Sequence, residues 1–264
     1  MWVYITCVPN QGKVYLEKMD GSSEMIPNYD AIYKLQTTAT TDPDQSDFFP
    51  ICPRILISAP SGAGKTNLAL HLIFTSIDKG GLQSRPRIIV VTGGTHEQSK
   101  YRLLAEVCKE KCRVELTVLP SFEDFLTFCE IDKYPGQDFS DRLRDSIVIL
   151  DDLSISSAQR YIMRDLFAKA RHHRIILMLL YQCYSRIPKF LRENANVLFL
   201  FRTDRLALSL VHRDFCLGDL TMEQFESICQ QAWKNVYCPL TIVKDRCKEN
   251  FKYRMGLRSF FQFE

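Results

Sequence analysis

An apolar run, Ile55-Leu56-Ile57, leads into Ala59-Pro60-Ser61-Gly62-Ala63-Gly64-Lys65-Thr66, and an amphipathic stretch over residues 65–78 follows. This strand–loop–helix passage constrains the chain more than any other feature. The octet fits G-x-x-x-x-G-K-[ST] with Ala59 in the first glycine position, a sterically mild departure at a strand end. Gly62 and Gly64 allow the positive φ that turns backbone N–H groups inward around an anion. The helix that starts here adds its positive end. Ser61, Gly62, Ala63, Gly64, Lys65, Thr66 and Asn67 are therefore the expected lining of a phosphate site. In it Lys65 reaches the outer phosphates and the Thr66 hydroxyl faces Mg²⁺, which makes ATP with Mg²⁺ the expected ligand.

A second apolar run, Ile147-Val148-Ile149-Leu150, ends in Asp151-Asp152. Asp151 is expected at the carboxyl end of a core strand, where open α/β sheets bind ligands, and it suits Mg²⁺ directly or through water. Strand alternation sends the Asp152 side chain elsewhere. Two readings of it stay open: polarising a water for attack on the terminal phosphate, or capping the next turn. The next run, Ile175–Tyr181, ends in Gln182, whose amide can bond both a terminal phosphate and an attacking water. A strand with a polar terminus following the Asp-Asp strand marks the additional-strand, catalytic-acid branch of phosphate-loop ATPases. The base-reading Asn-Lys-x-Asp of GTPase switches is absent from the sequence, and no arginine-rich lid of the small nucleotide kinases is evident.

The remaining pattern completes an α/β outline. Strands are read at 54–58, 87–92, 113–119, 146–150, 175–181, 197–201 and 240–243, with helices at 65–78, 97–110, 122–131, 157–173 and 222–233. Continuous apolar strands between amphipathic helices imply a mostly parallel sheet covered on both faces. Residues 1–36 read as a small β-rich addition with a hairpin across Pro9-Asn10-Gln11-Gly12, and residues 37–50 as a polar linker. The expected division is 1–50 for this extension and 51–264 for an ATPase domain with a basic C-terminal extension. Ten cysteines show no C-x-x-C pair and read as reduced thiols, mostly small core hydrophobes. No run reaches the ~18–20 apolar residues of a membrane span, and the apolar start lacks the basic residues of a signal peptide. An intracellular, non-secreted protein is expected.

Four segments, APSGAGKTNL (59–68), IVILDDL (147–153), ARHHRIILMLLYQCYSRIPKFLRENANVLFLFR (170–202) and LTIVKDRCKENFKYR (240–254), together resemble the viral DNA-packaging ATPases of the FtsK/HerA superfamily. The similarity is to the type found in virophages and Polinton/Maverick elements, related to the poxvirus packaging ATPase. It covers residues 52–254, and the third segment is its specific part. The resemblance implies Lys65 and Thr66 in the Walker A roles and Asp151 as the Walker B aspartate. It further implies Asp152 at the catalytic acidic position, where many relatives have Glu, and Gln182 as the sensor. Arg171 matches the arginine that such motors are proposed to offer a neighbouring subunit's γ-phosphate, with Arg186 and Arg192 as rivals. An arginine acting in trans implies a homo-oligomeric ring. The implied partners are double-stranded DNA, contacted through its backbone, and capsid or portal-vertex proteins. The implied location is a virus factory, the nucleus or the virion.

A formal net charge of +3 does not argue for nucleic acid by itself. Its distribution is more informative. Arg160, Arg164, Lys169, Arg171, Arg174, Arg186, Lys189 and Arg192 face one acidic residue, Asp165, in that stretch. Lys234, Lys244, Arg246, Lys248, Lys252, Arg254 and Arg258 face only Asp245 and Glu249. Such stripes suit phosphate backbones, or are solvated faces. His172 and His173 are adjacent residues of an expected helix and diverge too far to share a metal ion. Two other functions stay open: a DNA pump or helicase outside packaging, and an ATP-binding capsid assembly factor that does not hydrolyse.

Overall fold

The computed structural model describes residues 5–7, 14–17, 23–26, 50, 52–78, 87–93, 99–109, 114–129, 142–153, 155–246, 252–257 and 259–261. Three short strands near the start, β1 (Ile5–Cys7), β2 (Val14–Glu17) and β3 (Ser23–Ile26), form an antiparallel sheet in that order. The β1–β2 pairing, Ile5 opposite Leu16 and Cys7 opposite Val14, is the hairpin expected there. The expected linker at 37–49 lies outside the described residues.

The second sheet carries the chemistry. It has nine strands: β4 (Arg54–Ser58), β5 (Arg87–Thr92), β6 (Glu115–Leu119), β7 (Ser146–Asp151), β8 (Ile176–Tyr181), β9 (Val197–Leu200), β10 (Leu240–Val243), β11 (Tyr253–Met255) and β12 (Ser259–Phe260). Their order is β12-β11-β10-β9-β4-β8-β7-β5-β6. From β9 to β6 every pairing is parallel, and from β9 outward to β12 every pairing is antiparallel. The strand of the glycine loop, β4, and the strand of the two aspartates, β7, are thus separated by one inserted strand, β8. This is the additional-strand arrangement of phosphate-loop NTPases.

Alternation explains why the strands read as unbroken apolar runs. Ile55 and Ile57 of β4, Ile147 and Ile149 of β7, and Met178 and Leu180 of β8 face one core cluster. Leu56, Val148, Leu150, Leu177 and Leu179 face the other. Two helices, α1 (Lys65–Asp78) and α2 (Ser99–Val107), cover the first face with Leu70, Ile73, Tyr101 and Leu104. The helices α3 (Phe122–Phe128), α4 (Arg160–Lys169), α5 (Lys189–Asn194), α6 (Arg205–Val211) and α7 (Met222–Ala232) contribute to the second. Each fully buried Leu or Ile contributes roughly 1.5–3 kcal/mol, so the sheet is fixed from both sides and its strand ends become a rigid platform.

Two elements differ from the sequence reading. The helix expected over 157–173 is a short 3₁₀ turn, Ser157–Gln159, followed by α4, which stops at Lys169. Arg174 adopts φ 56° and the Ile175 amide bonds Ala170 O at 2.8 Å, a left-handed stop that hydrophobic periodicity does not reveal. His172 and His173 therefore sit in a turn; His173 is buried beside Arg144 (3.4 Å) and His172 is exposed. The described parts of the basic tail are also no appendage: β10–β12 extend the sheet. Among the described residues, no helix is long and apolar enough to cross a membrane. The seven cysteines whose side chains are described are free thiols, six of them buried.

Candidate functional site

The glycine loop joins β4 to α1 at the carboxyl end of the sheet. Gly62 and Gly64 have φ of 76° and 100°, the region open to glycine and strained for most residues. A β-carbon on Gly62 would meet nothing within 4 Å, so the requirement there is conformational. The Ala63 amide closes the turn on Pro60 O at 3.2 Å, and Leu68 N bonds Gly64 O at 2.9 Å as the helix begins. The Lys65 ammonium donates to Ala59 O (3.0 Å) and Pro60 O (3.3 Å). Burial lowers its pKa, while the charges of Asp152 and Asp151 pull it back up. Both carboxylates therefore act on this lysine.

Asp151 closes β7 and is buried. One of its oxygens, Oδ2, accepts from Thr66 Oγ1 at 3.3 Å and from the Tyr101 hydroxyl at 2.5 Å. Burial raises its pKa; the bonds from Tyr101 and Thr66 and the charge of Lys65 oppose the rise, and Asp152 adds to it. The tyrosine, buried on α2, was not singled out in the sequence. An aromatic on the apolar face of a short helix reads as core, and only the fold shows its hydroxyl against a carboxylate 50 residues away.

Asp152 corrects an expectation. Alternation sends its side chain away from the site, but the strand has ended and residue 152 takes φ 54°. Its amide bonds Leu180 O at 3.0 Å, and its carboxylate accepts from Gln182 Nε2 at the end of β8. Both side chains are solvent-exposed. Lys65, Thr66, Asp151, Asp152 and Gln182 thus gather at the carboxyl ends of β4, β7 and β8, which lie side by side in the sheet.

Arg171 is not part of this group. It lies exposed in the turn before β8, at the amino end of the sheet, roughly 20 Å of strand away from Gln182. Arg186 is exposed, just beyond β8 at the carboxyl end. Arg192 is removed from the list of arginines free to meet a phosphate. It is buried, pairs with Asp214 at 2.5 Å and lies 5.4 Å over the Tyr184 ring. Lys252 leaves the basic tail stripe for the same reason: it is buried on Asp219 and on Cys216 O (3.1 Å). Lys248 and Arg258 lie outside the described residues.

The donor set beside the loop fits Mg²⁺. The Thr66 hydroxyl and the Asp151 carboxylate are hard oxygen donors within 3.3 Å of each other, and such sites leave the remaining positions to water and phosphate oxygens.

No family model matches the sequence, and no curated protein matches it. Among solved structures the chain is similar to the genome packaging NTPase B204 of Sulfolobus turreted icosahedral virus 2 in complex with ATP-gammaS. That match has 14% identity, covers 79% of this chain and 100% of the other, and has a TM-score of 0.48. The B204 DNA-packaging ATPase of Sulfolobus turreted icosahedral virus is similar at 16% identity, with 74% and 94% covered and a TM-score of 0.43. ATPases 2 and 3 of Thermomonospora curvata EccC are similar at 17% identity over 59% of this chain and 31% of the other, with a TM-score of 0.39.

Proposed function

We propose that this chain is a Mg²⁺-dependent ATPase of the FtsK/HerA type that drives double-stranded DNA, and that its task is packaging DNA into a capsid. The observation that carries the ATPase reading is the Asp152–Gln182 pair beside Lys65 and the Thr66–Asp151 pair, on three neighbouring strand ends. The glycine loop cradles the phosphates, and Lys65 leaves its two loop carbonyls to bond the β- and γ-oxygens. Thr66 and Asp151 would hold Mg²⁺, which would supply neutralisation of phosphate charge. Gln182 orients a water in line with the γ-phosphorus. The water oxygen bonds to phosphorus, the bond to the β-bridging oxygen breaks, and the water's proton passes to Asp152. Lys65 stabilises the charge that develops on the transferring group. Arg171 cannot reach this site within its own chain, which agrees with a role toward a neighbouring subunit's nucleotide in a ring.

The packaging half rests on the residue pattern from Arg171 to Asn196, and the DNA half on the exposed Arg160, Arg164, Arg171, Arg186 and Lys189. Steady-state ATPase measured with and without long linear duplex DNA tests the ATPase and DNA halves. The wild type is expected to turn over and to be stimulated by DNA, and Lys65→Ala to be inactive with an unchanged circular dichroism spectrum. Wild-type turnover in Lys65→Ala would overturn the site. Binding of ATP with no turnover under any condition would favour the assembly-factor reading instead.

A further inference from the structure

The glycine loop has two flanks. On the side of β8 and β7 stand Gln182 and the two aspartates. On the side of β9 and β10 stands the loop between α7 and β10, which carries Val236 and Tyr237, 73% and 62% exposed, among the most exposed large apolar side chains of the described residues. Tyr237 Cδ1 is 3.9 Å from the position of a β-carbon on Gly64. The ring therefore stands beside Gly64, one residue before the lysine.

This placement is fixed by bonds. Trp233 Nε1, at the end of α7, donates to Leu200 O at 2.9 Å, and Leu200 is in register with Ser58, the last residue of β4. The Tyr237 amide bonds Asn235 Oδ1 at 3.3 Å and the Cys238 amide bonds Asn235 O at 3.1 Å. Cys238 is buried, and Gly256 N bonds Pro239 O at 2.8 Å. The turn is pinned at both ends, and Val236 and Tyr237 project from it together with Lys234.

From this arrangement we infer that Tyr237 is the platform for the nucleobase, stacking its ring on the face of a purine. This deepens the proposed ATPase site and rests on it. With the terminal phosphate on the Asp152–Gln182 flank, the nucleoside leaves the loop toward the opposite flank, where Tyr237 offers the aromatic face. A π-face accepts any base, and the larger purine gains more from it than a pyrimidine.

The test is calorimetric titration, with Mg²⁺ present, of three probes: the β,γ-imido analogues of ATP and of CTP, and inorganic tripolyphosphate. The wild type is expected to bind the ATP analogue more tightly than the CTP analogue. Tyr237→Ala is expected to weaken the ATP analogue by about tenfold or more, to shrink the purine preference and to leave tripolyphosphate unchanged. Tyr237→Phe keeps the ring and is expected to stay near wild type. Unchanged affinity for the ATP analogue in Tyr237→Ala overturns the inference. So does equal weakening of the analogue and tripolyphosphate, which would mean that the ring only shapes the loop. So does a loss confined to duplex DNA binding or self-association. Failure of the phosphate site itself looks different: wild type and Lys65→Ala would then bind tripolyphosphate equally poorly.

Discussion

Asp152 stands at φ 54°, where asparagine and aspartate are tolerated far better than longer or branched side chains. That backbone gives a physical reason for a short acid rather than Glu at this position. Asp152→Asn keeps the backbone preference and loses the proton acceptor, so turnover is expected to fall by about 100-fold or more with the melting temperature preserved. Asp152→Glu keeps the acid, but places a longer side chain on a left-handed backbone at a cost of about 1 kcal/mol. It is expected to be both less stable and much less active; a fully active Asp152→Glu would show that backbone geometry does not set the choice. Asp151 poses the reverse trade. Burial holds its carboxyl above the ordinary 3.8, so the unfolded chain gives up the proton first. Asp151 therefore contributes stability below that ordinary value, and the contribution is lost as pH rises through the folded value. Asp151→Asn is expected to melt higher than wild type at neutral pH, by about 2–4 °C per kcal/mol relieved, with the gap closing near pH 4. A lower melting temperature at pH 7 would mean that the Tyr101 and Thr66 bonds outweigh the burial.

The segment from Gln182 to Asn196 works as one element. Gln182 turns toward Asp152, while Tyr184 and Arg192 turn inward to Asp214, Tyr184 through a 3.1 Å hydroxyl bond. The Asp214 side chain is buried, so Arg192→Met removes its buried cation, leaves the carboxylate to the Tyr184 hydroxyl and to Arg213 Nε (2.9 Å), and is expected to cost about 2 kcal/mol in urea unfolding. Adding Asp214→Asn to Arg192→Met is expected to recover part of that loss; simple additivity of the two single costs would show the pair uncoupled. This element also marks how far a sequence can be read. The glycine loop, the Asp-Asp strand and the inserted strand ending in Gln182 were all legible, because each couples local periodicity to a spacing that the chemistry demands. Arg192 and Lys252 were misread as surface charge because composition does not tell a solvated cation from one facing a buried acid. The Asp152–Gln182 bond and the Tyr101–Asp151 bond were invisible for a related reason. Each depends on a backbone turn or on a partner brought close by the sheet order. The end of α4 was missed because a left-handed Arg174 carries no glycine to announce it.

At the scale of the whole molecule, six neighbouring strands, β9 to β6, pair in parallel, so the two ends of the sheet differ in kind. The glycine loop, Asp151, Asp152 and Gln182 collect at the carboxyl end, and Arg171 stands exposed at the amino end. Antiparallel strands β10–β12 cover the β9 edge, and their connection to α7 sets Tyr237 beside the glycine loop. In the proposed ring, copies would meet head to tail, through two different surfaces rather than one shared patch. For the proposed motor, mixing Lys65→Ala with Arg171→Ala subunits is expected to restore part of the turnover that neither variant shows alone. Full activity of Arg171→Ala by itself would remove that arginine from the chemistry. In the proposed ring, the separation between Arg171 and Gln182 divides the catalytic centre between two chains. A catalytic centre divided between two chains obeys mass action. Turnover per chain is expected to climb with protein concentration to a plateau and to collapse on dilution, so the rate constant becomes a property of the population rather than of the single polypeptide.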